Sequence, residues 1–373
     1  MNFDFSDEQK QLRDEARRFL DENCTTKEVR AILEGKDVYD RKLWKGLADL
    51  GLLGIAIPEE FGGAGAGRLE LCIVAEEIGR ALAPVPYSST VYLASEILLR
   101  AGTDAQKKEW LPKIAKGEAI GALAFVEGPG NPTPGGMKAS VSGGKLSGRK
   151  TLVADGGVAD FAIVAARAGS GENTLSLYLV DLKGAGVTRA NVETVDPTRN
   201  HAEITFANAP AALVGNEGEG WTLLTQALDR AAVLVAFEQI GGADRALYMA
   251  RDYALDRMAF GRQIGSFQAI KHILADMYVS ATLARSNAYY GAWALSTDAG
   301  ELAEAAANAR VSATQAFQLC AKQNNQVHGG MGFTWEADCH LFYRRSNLLA
   351  LTLGSLSWWE DALIERMRKR NAA

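Results

Sequence analysis

Apolar side chains recur at helical spacing from the start of the chain. The first set lies on one helix face and comprises Phe5, Leu12, Ala16 and Phe19. Ser6 followed by Gln9 matches a capping box, so the pattern predicts a helix that begins directly after Ser6. The same periodicity returns over residues 69–82 and 91–101. We therefore expect an N-terminal helical domain over residues 1–120.

The period of the pattern changes after residue 120. Short runs of β-type residues occupy 162–165, 175–180 and 203–206, and Gly, Asn, Asp and Pro separate them. Short strands at such spacing are typical of a small β-barrel or sandwich. We expect this central β domain to span residues 121–220.

Helical periodicity resumes beyond residue 220. Long amphipathic stretches cover 221–257, 267–293 and 302–327, and the glycine pair 241–242 marks a kink or a close packing point in the first of them. These stretches predict a C-terminal bundle of the four-helix type over residues 221–373. The fold class is therefore α+β, with a helical domain, a small β-barrel or sandwich domain and a helical bundle in that order.

The composition is that of a globular protein with a modest negative charge. Of 373 residues, 47% are hydrophobic and 23% charged, and 40 Lys and Arg stand against 45 Asp and Glu. That balance argues against a protein that coats nucleic acid, which needs a surplus of cations. No apolar run reaches the roughly 18 residues that span a bilayer, and the acidic N-terminus is unlike a signal peptide. We expect a cytoplasmic protein with no nucleic-acid or membrane partner.

The cysteines and histidines are too scattered for a disulfide framework or a metal site. No CxxC pair occurs among the four cysteines, which are Cys24, Cys72, Cys320 and Cys339. We expect them to be reduced thiols. The four histidines show no metal-ligand spacing, which argues against a mononuclear zinc centre.

Two segments carry candidate chemistry. Residues 329–332 are glycine-rich and follow a long helix, so a phosphate or sugar could approach the backbone there, although a plain turn between helices fits equally well. Residues 257–268 contain two guanidinium groups, from Arg257 and Arg262, and aromatic and amide side chains. Arginine suits phosphate through bidentate geometry, but basic residues also occur at the ends of helices for electrostatic reasons.

The order of three motifs resembles the acyl-CoA dehydrogenase flavoprotein family over essentially the whole chain. The first motif is Gly-Leu-Leu-Gly-Ile-Ala-Ile-Pro-Glu-Glu-Phe-Gly-Gly at 51–63. The second runs from Arg257-x-x-Phe260-Gly261 to Phe267-Gln268, and the third is Gln-Val-His-Gly-Gly-Met-Gly-Phe at 326–333. Each motif is moderately specific, and their occurrence in this order strongly indicates the family.

The resemblance implies an FAD enzyme that removes hydrogens from Cα and Cβ of an acyl-CoA thioester. A buried carboxylate takes the acidified α proton, and flavin N5 accepts the β hydride. Electron-transfer flavoprotein is the implied electron acceptor, and a homo-oligomer or a heterotetramer the implied assembly, because the adenine end reaches a neighbouring subunit. The implied FAD-binding residues are Phe125, Val126, Leu152, Val153 and Ala154 at the flavin ring, Arg257, Phe260 and Gln268 at the adenosine diphosphate, and Gln326, Gly329 and Gly330 from the partner subunit.

The flavin segments depart from the family pattern in their side chains. The usual Thr-Glu-Pro is Val126-Glu127-Gly128, and the usual aromatic–Ile–Thr/Ser is Leu152-Val153-Ala154. Each change removes a hydroxyl that could bind the flavin, and Ala259 replaces a usual Gln. Backbone N–H groups can still donate, because that capacity does not depend on the side chain. We therefore still expect the chain to bind FAD, with fewer hydrogen bonds between side chains and the flavin.

The catalytic base is absent from both positions where the family carries it. Most members place a Glu just before Gly-Thr near the C-terminus, and the corresponding residue is Leu353. A minority place it on the helix after the β domain, where this chain has Ala231. Neither side chain can accept a proton.

Several hypotheses follow from the missing base. A displaced base could be Glu238, on the face of Ala231 and about 10 Å further along the helix, or Glu127. Glu238 could instead be a buried structural acid that is satisfied by Arg245 or by a backbone group. Alternatively, the chain is the subunit without a base in a heteromer of the steroid side-chain type, with a Glu-bearing paralogue as partner. A third hypothesis is an FAD- or FMN-dependent monooxygenase or oxidase on the same fold, and a fourth, from another class, is a non-catalytic partner subunit.

Overall fold

The computed structural model describes residues 5–168 and 174–372. The helices are α1 (Asp7–Asn23), α2 (Thr26–Glu34), α3 (Arg41–Asp49), α4 (Arg68–Arg80), α5 (Ser95–Ala101), α6 (Asp104–Ala115), α7 (Gly220–Asp256), α8 (Gln268–Ser296), α9 (Leu302–His328), α10 (Cys339–Leu351) and α11 (Leu356–Ala372). The strands are β1 (Gly121–Ala124), β2 (Ser140–Ser142), β3 (Lys145–Ala154), β4 (Phe161–Ala168), β5 (Leu175–Asp181), β6 (Val187–Asn191), β7 (His201–Pro210), β8 (Ala212–Val214), β9 (Met258–Ala259) and β10 (Arg262–Gln263). Short 3-10 turns and a π-helical segment at Ser88–Ala94 join them.

The first helix begins where the sequence predicts. The Ser6 hydroxyl accepts a hydrogen bond from the Gln9 backbone N–H, and the Gln9 side chain accepts one from the Ser6 N–H. This capping box satisfies N–H groups that have no partner inside the helix. The predicted capping box is therefore confirmed.

The described residues divide into two compact units. The first falls within Met1–Arg30, Arg68–Ala83 and Ala232–Ala373, and the second within Ala31–Gly67 and Pro84–Ala231. The division into three domains at residues 120 and 220 stays a prediction. No helix in the described ranges combines the length and the apolar character that crossing a bilayer requires.

The second unit contains a β-sheet that follows the predicted strands. Within the described residues, β1–β8 form one eight-stranded sheet in the order β6-β7-β3-β2-β4-β5-β8, and β1 pairs in parallel with β4. Six successive residues of β5, from Leu175 to Val180, are buried, as are the first six of β4. A continuously buried run is typical of a strand that is covered on both faces, so β4 and β5 form the core of the sheet.

The first unit is built from packed helices that approach each other closely. A Cβ atom at Gly79 of α4 would lie 1.8 Å from the backbone oxygen of Glu238 on α7. A Cβ atom at Gly241 would lie 1.9 Å from the backbone oxygen of Glu76 on α4. The two helices therefore meet backbone to backbone, and Gly241 is a packing point.

The substitution Gly241→Ala is expected to lower the free energy of unfolding by about 1–3 kcal/mol, because the added methyl group has to displace the backbone of α4. The urea midpoint of the purified protein measures this effect. Gly300→Ala is the matched control, because nothing lies within 4 Å of a Cβ atom there. An unchanged midpoint for Gly241→Ala would contradict the close contact.

All four cysteines are buried, and none is paired with another. Burial raises the pKa of Cys320 to about 12 and that of Cys339 to about 11. Since the thiolate is the reactive form, these groups are chemically inert near neutral pH.

Candidate functional site

The two segments predicted to face the flavin ring lie next to each other in the second unit. The backbone N–H of Thr151 donates to the oxygen of Val126 at 2.8 Å. The pairing of β3 with β7 shifts register between Lys150 and Val153, which is a bulge. Leu152 in this bulge has φ +51° and is 53% exposed. A β-bulge changes the direction of the backbone and of its side chains, and here it turns Leu152 outwards.

A cavity of about 250 Å³ opens beside the first of these segments. Its lining comes from Phe125, from the loop that follows it, and from the short turn before β2. The loop contains three prolines and several glycines, at residues 128–136. Such a segment has little regular hydrogen bonding of its own, so other groups have to hold it in place.

Glu127 anchors this loop through a buried ion pair. Its carboxylate accepts hydrogen bonds from Lys150 Nζ at 2.6 Å and from the backbone N–H groups of Lys138 at 2.6 Å and Ala139 at 3.1 Å. The Lys150 side chain is fully buried. Burial alone would raise the pKa of Glu127, but the Lys150 ammonium and the two N–H groups bring it below the ordinary value. Glu127 is therefore held as a carboxylate.

The loop anchor predicts a pH dependence of stability. The pKa of Glu127 is lower in the folded state than its ordinary value of 4.5. Its contribution is therefore fully present above about pH 4.5 and is lost as the pH falls through the folded-state pKa. We expect the Glu127→Gln variant to have a lower melting temperature than the wild type at pH 7. This difference in melting temperature should shrink under acidic conditions.

Thermal melts of both proteins between about pH 7 and about pH 3.5 check this expectation. Glu60→Gln, which removes an exposed carboxylate of the same unit, should leave the melting temperature unchanged at every pH. A difference between Glu127→Gln and the wild type that stays constant with pH would refute the charge-based role.

The two residues that the resemblance aligns with the family's base are both buried and apolar. Ala231 on α7 is 0% exposed, and Leu353 in the turn after α10 is 5% exposed. Leu353 has φ +67°, and the following Gly354 has φ +114°. A left-handed conformation is costly for a residue other than glycine, so the surrounding structure has to hold it. The turn at Leu353 and Gly354 is therefore a strained position that its neighbours have to stabilise.

Glu238 is a fully buried carboxylate with a cationic neighbour. Its Oε1 lies 3.8 Å from Nη1 of Arg345, and the two side chains are 0% and 1% exposed. Arg345 also donates from Nη2 to the oxygen of Leu82 at 3.2 Å. The predicted neighbour, Arg245, is instead exposed. The prediction of a buried ion pair named the wrong arginine, because Arg345 reaches Glu238 from a different helix.

Sequence reasoning missed a second buried arginine in the same unit. Arg310 on α9 is 1% exposed and donates to Gln239, Thr314 and two backbone oxygens at the end of α10. No motif marks it, and a lone arginine in an alanine-rich helix resembles a solvated position. Only the helix packing shows that it is buried.

The second motif forms a tight hairpin in the first unit. β9 and β10 pair around Phe260 and Gly261, which have φ +53° and φ +79°. Positive φ at both central residues is the geometry of a type I′ turn, whose twist matches that of the strands. Phe260 is 94% exposed, and its ring lies 6.1 Å from that of Phe267 in an edge-to-face contact.

The predicted dinucleotide-binding side chains of this hairpin face outwards. Arg257 is exposed where α7 gives way to β9, and Gln268 is exposed at the start of α8. The guanidinium carbon of Arg262 lies 4.1 Å from the centroid of the Phe267 ring. The arrangement offers cations and an aromatic ring to an anionic, aromatic ligand.

The third motif presents bare backbone at the end of α9. Gly329 has φ +58°, and nothing among the described residues lies within 4 Å of a Cβ atom built at Gly329 or Gly330. Gln326 is exposed one turn earlier. The ring of His328 stacks on Tyr253 at 4.0 Å, which fixes the direction of the turn. A ligand or a neighbouring chain could therefore approach this backbone closely.

Two family models match most of the chain. The acyl-CoA dehydrogenase N-terminal domain matches residues 6–118, and the acyl-CoA dehydrogenase C-terminal domain matches residues 218–366. The chain is 34% identical over 352 residues to "Acyl-CoA dehydrogenase IpdE2" of Mycobacterium tuberculosis, and the match covers 94% of each sequence.

Solved structures with a similar fold include two complexes. A variant of the "Tcur3481-Tcur3483 steroid ACAD" is 30% identical with a TM-score of 0.88, and the match covers 98% of this chain and 99% of that chain. The "ChsE4-ChsE5 complex from Mycobacterium tuberculosis" is 28% identical with a TM-score of 0.88, and the match covers 100% of this chain and 99% of the other. These matches confirm the fold class predicted from the sequence.

Proposed function

Because the chain belongs to the acyl-CoA dehydrogenase family, we propose that it binds FAD and serves as the subunit without a base in a heteromeric acyl-CoA dehydrogenase. Membership confirms the family and the oxidoreductase class that the three motifs predicted. One observation carries the proposal. Both base positions, Ala231 and Leu353, are buried and apolar, while the turn that holds Leu353 keeps its left-handed conformation.

The residues of this chain fit an FAD cofactor. At the bulge Leu152 has no partner in the ladder with β7 and is 53% exposed, so its backbone N–H can replace a hydroxyl that the sequence has lost. Arg257 and Gln268 are exposed and can bind the pyrophosphate and adenosine, and the open backbone at Gly329 can bind the adenosine end of the FAD of a neighbouring subunit. Bound FAD supplies the acceptor for the hydride that leaves Cβ of the acyl group.

The alternative of a self-sufficient enzyme needs a carboxylate that is available for the α proton. Glu238 is fully buried beside Arg345, and Glu127 holds Lys150 and two backbone N–H groups. A general base has to reach the proton that it takes, directly or through one water. We therefore infer that both carboxylates are structural, and that the base comes from a partner subunit.

The relatives suggest a bulky acyl group and a heteromeric assembly. One matched structure is named as a steroid enzyme with two components, and another as a complex of two chains. We propose the same arrangement here, with an acyl-CoA that carries a ring system as substrate and electron-transfer flavoprotein as electron acceptor.

The proposal is tested by co-expression of the chain with a paralogue from the same genome that carries the usual Glu. We expect the two to co-purify as one yellow complex, and the flavin to bleach on anaerobic addition of a steroid-type acyl-CoA. Glu→Gln at the paralogue's base should abolish bleaching and leave the complex intact. If the chain forms a complex with no such paralogue, and its flavin is bleached by the acyl-CoA in the chain alone, the heteromer proposal is wrong.

A further inference from the structure

Arg310 lies at the point where three helices of the first unit meet. From α9, its Nη1 donates to Gln239 Oε1 of α7 at 2.6 Å and to Thr314 Oγ1 at 2.9 Å. Its Nη2 donates to the backbone oxygen of Leu349, near the end of α10, and to that of Thr352 at 2.6 Å. A guanidinium group is planar with fixed donor directions, so these bonds set the distance between α7, α9 and the end of α10.

The two carbonyl groups that Arg310 binds determine the turn after α10. The last carbonyls of a helix have no partner inside the helix, and a cation at this end is favourable. The oxygen of Thr352 belongs to the peptide group that joins Thr352 to Leu353. Holding that peptide plane restricts the rotation that would take Leu353 out of its φ of +67°. The left-handed turn thus has a specific cause.

Burial of the charged guanidinium group of Arg310 is energetically unfavourable. The hydrogen bonds that Arg310 makes have to compensate for this cost. Burial lowers the pKa of Arg310 to about 9, and the negative charge of Glu238 opposes that shift. The amide of Gln239 is itself oriented by the Thr314 hydroxyl, to which its Nε2 donates at 3.2 Å. Thr314 in turn donates to the backbone oxygen of Arg310 at 2.8 Å, so the cluster is closed.

We propose that Arg310 is a positioning residue for the turn at Leu353 and Gly354, and that it keeps the base position intact in a chain that has lost the base. Within the proposed function, on which it rests, the inference explains why the turn remains strained although the side chain at 353 can no longer accept a proton. A second consequence is that a carboxylate restored at position 353 acts only while Arg310 holds the turn.

The test of the turn itself uses amide hydrogen exchange on the full chain. In Arg310→Lys, a single ammonium cannot make the same four hydrogen bonds, and we expect amides at residues 352–355 to exchange about tenfold faster or more, with α8 unchanged. Arg366→Met is the matched control, because Arg366 also binds a backbone oxygen of the unit, that of Ala303 at 2.5 Å. The Arg366→Met variant should leave the amide exchange rates of residues 352–355 unchanged. Unchanged exchange at 352–355 in Arg310→Lys, or an equal increase in α8, overturns the inference.

The functional readout uses Leu353→Glu as the background. Adding Arg310→Lys is expected to lower kcat about tenfold or more with KM nearly unchanged, since substrate binding does not involve Arg310. A larger KM with the same kcat would contradict the positioning role. If Leu353→Glu proves inactive although it retains FAD, position 353 is not at the reaction centre, and the exchange experiment decides whether Arg310 holds the turn.

Discussion

Replacing Leu353 with Glu is expected to give the isolated chain an acyl-CoA-dependent flavin reduction that the wild type lacks. Leu353 has a left-handed backbone in this turn, and it is the residue that the resemblance aligns with the base of most family members, so we expect a carboxylate there to act as the base. General base catalysis contributes about 10²–10⁴-fold, which sets the expected gain in rate. Anaerobic stopped-flow measurement of flavin bleaching, with acyl-CoA in excess, records it.

The control for this gain is Leu351→Glu, two residues earlier in the same segment. Leu351 is 68% exposed at the end of α10, so a carboxylate there adds the same charge without occupying the base position. We expect no bleaching from it. Equal activity in the two variants, or none in Leu353→Glu while the flavin remains bound, would show that position 353 is not at the reaction centre.

The second large effect is on stability, from Glu238→Gln. The substitution leaves Arg345 buried without its counter-charge, and it removes the negative charge that opposes the cost of burying Arg310. Breaking a buried ion pair from one side costs about 3–5 kcal/mol, so the urea midpoint should fall substantially. Glu365→Gln, which breaks an exposed pair with Lys369, is expected to leave the midpoint unchanged.

A double variant separates the ion pair from a role in catalysis. Replacing both partners, as in Glu238→Gln with Arg345→Met, removes the uncompensated cation and should recover much of the lost stability. A Glu238→Gln protein that keeps its stability but loses flavin bleaching in the heteromer would contradict the structural role. That result would make Glu238 the displaced base.

The local structure was largely predictable from the sequence because its causes are local. The capping box at Ser6, the long helix that became α7 and the short run that became β5 each follow from a pattern within a few residues. Hydrophobic periodicity reflects which side of an element is buried, and that property is encoded along the segment itself. The motif order then identified the family.

The partners inside the site were not predictable, because they depend on packing between distant segments. Helix geometry suggested Arg245 for Glu238, since residues seven positions apart lie on the same face of a single helix. The cation at Glu238 is Arg345, which comes from another helix. Arg310 had no signal at all.

The bulge at Leu152 was missed for a related reason. A non-glycine residue with positive φ inside a strand is not signalled by residue type, and the run from Lys150 to Val153 is typical of a regular strand. At the register shift, the backbone N–H of Thr151 donates to Val126 while the residues on either side pair with β7. Pairing of this kind between segments that are distant in sequence can be seen only in the folded structure.

The most direct test is an anaerobic titration of the purified chain alone, reconstituted with FAD, with a panel of acyl-CoA thioesters. We expect a yellow protein whose visible flavin spectrum shifts on ligand binding but does not bleach with any thioester. Rapid bleaching by one of them would contradict the claim that this chain brings no base, and a preparation that never retains FAD would contradict the flavin site itself.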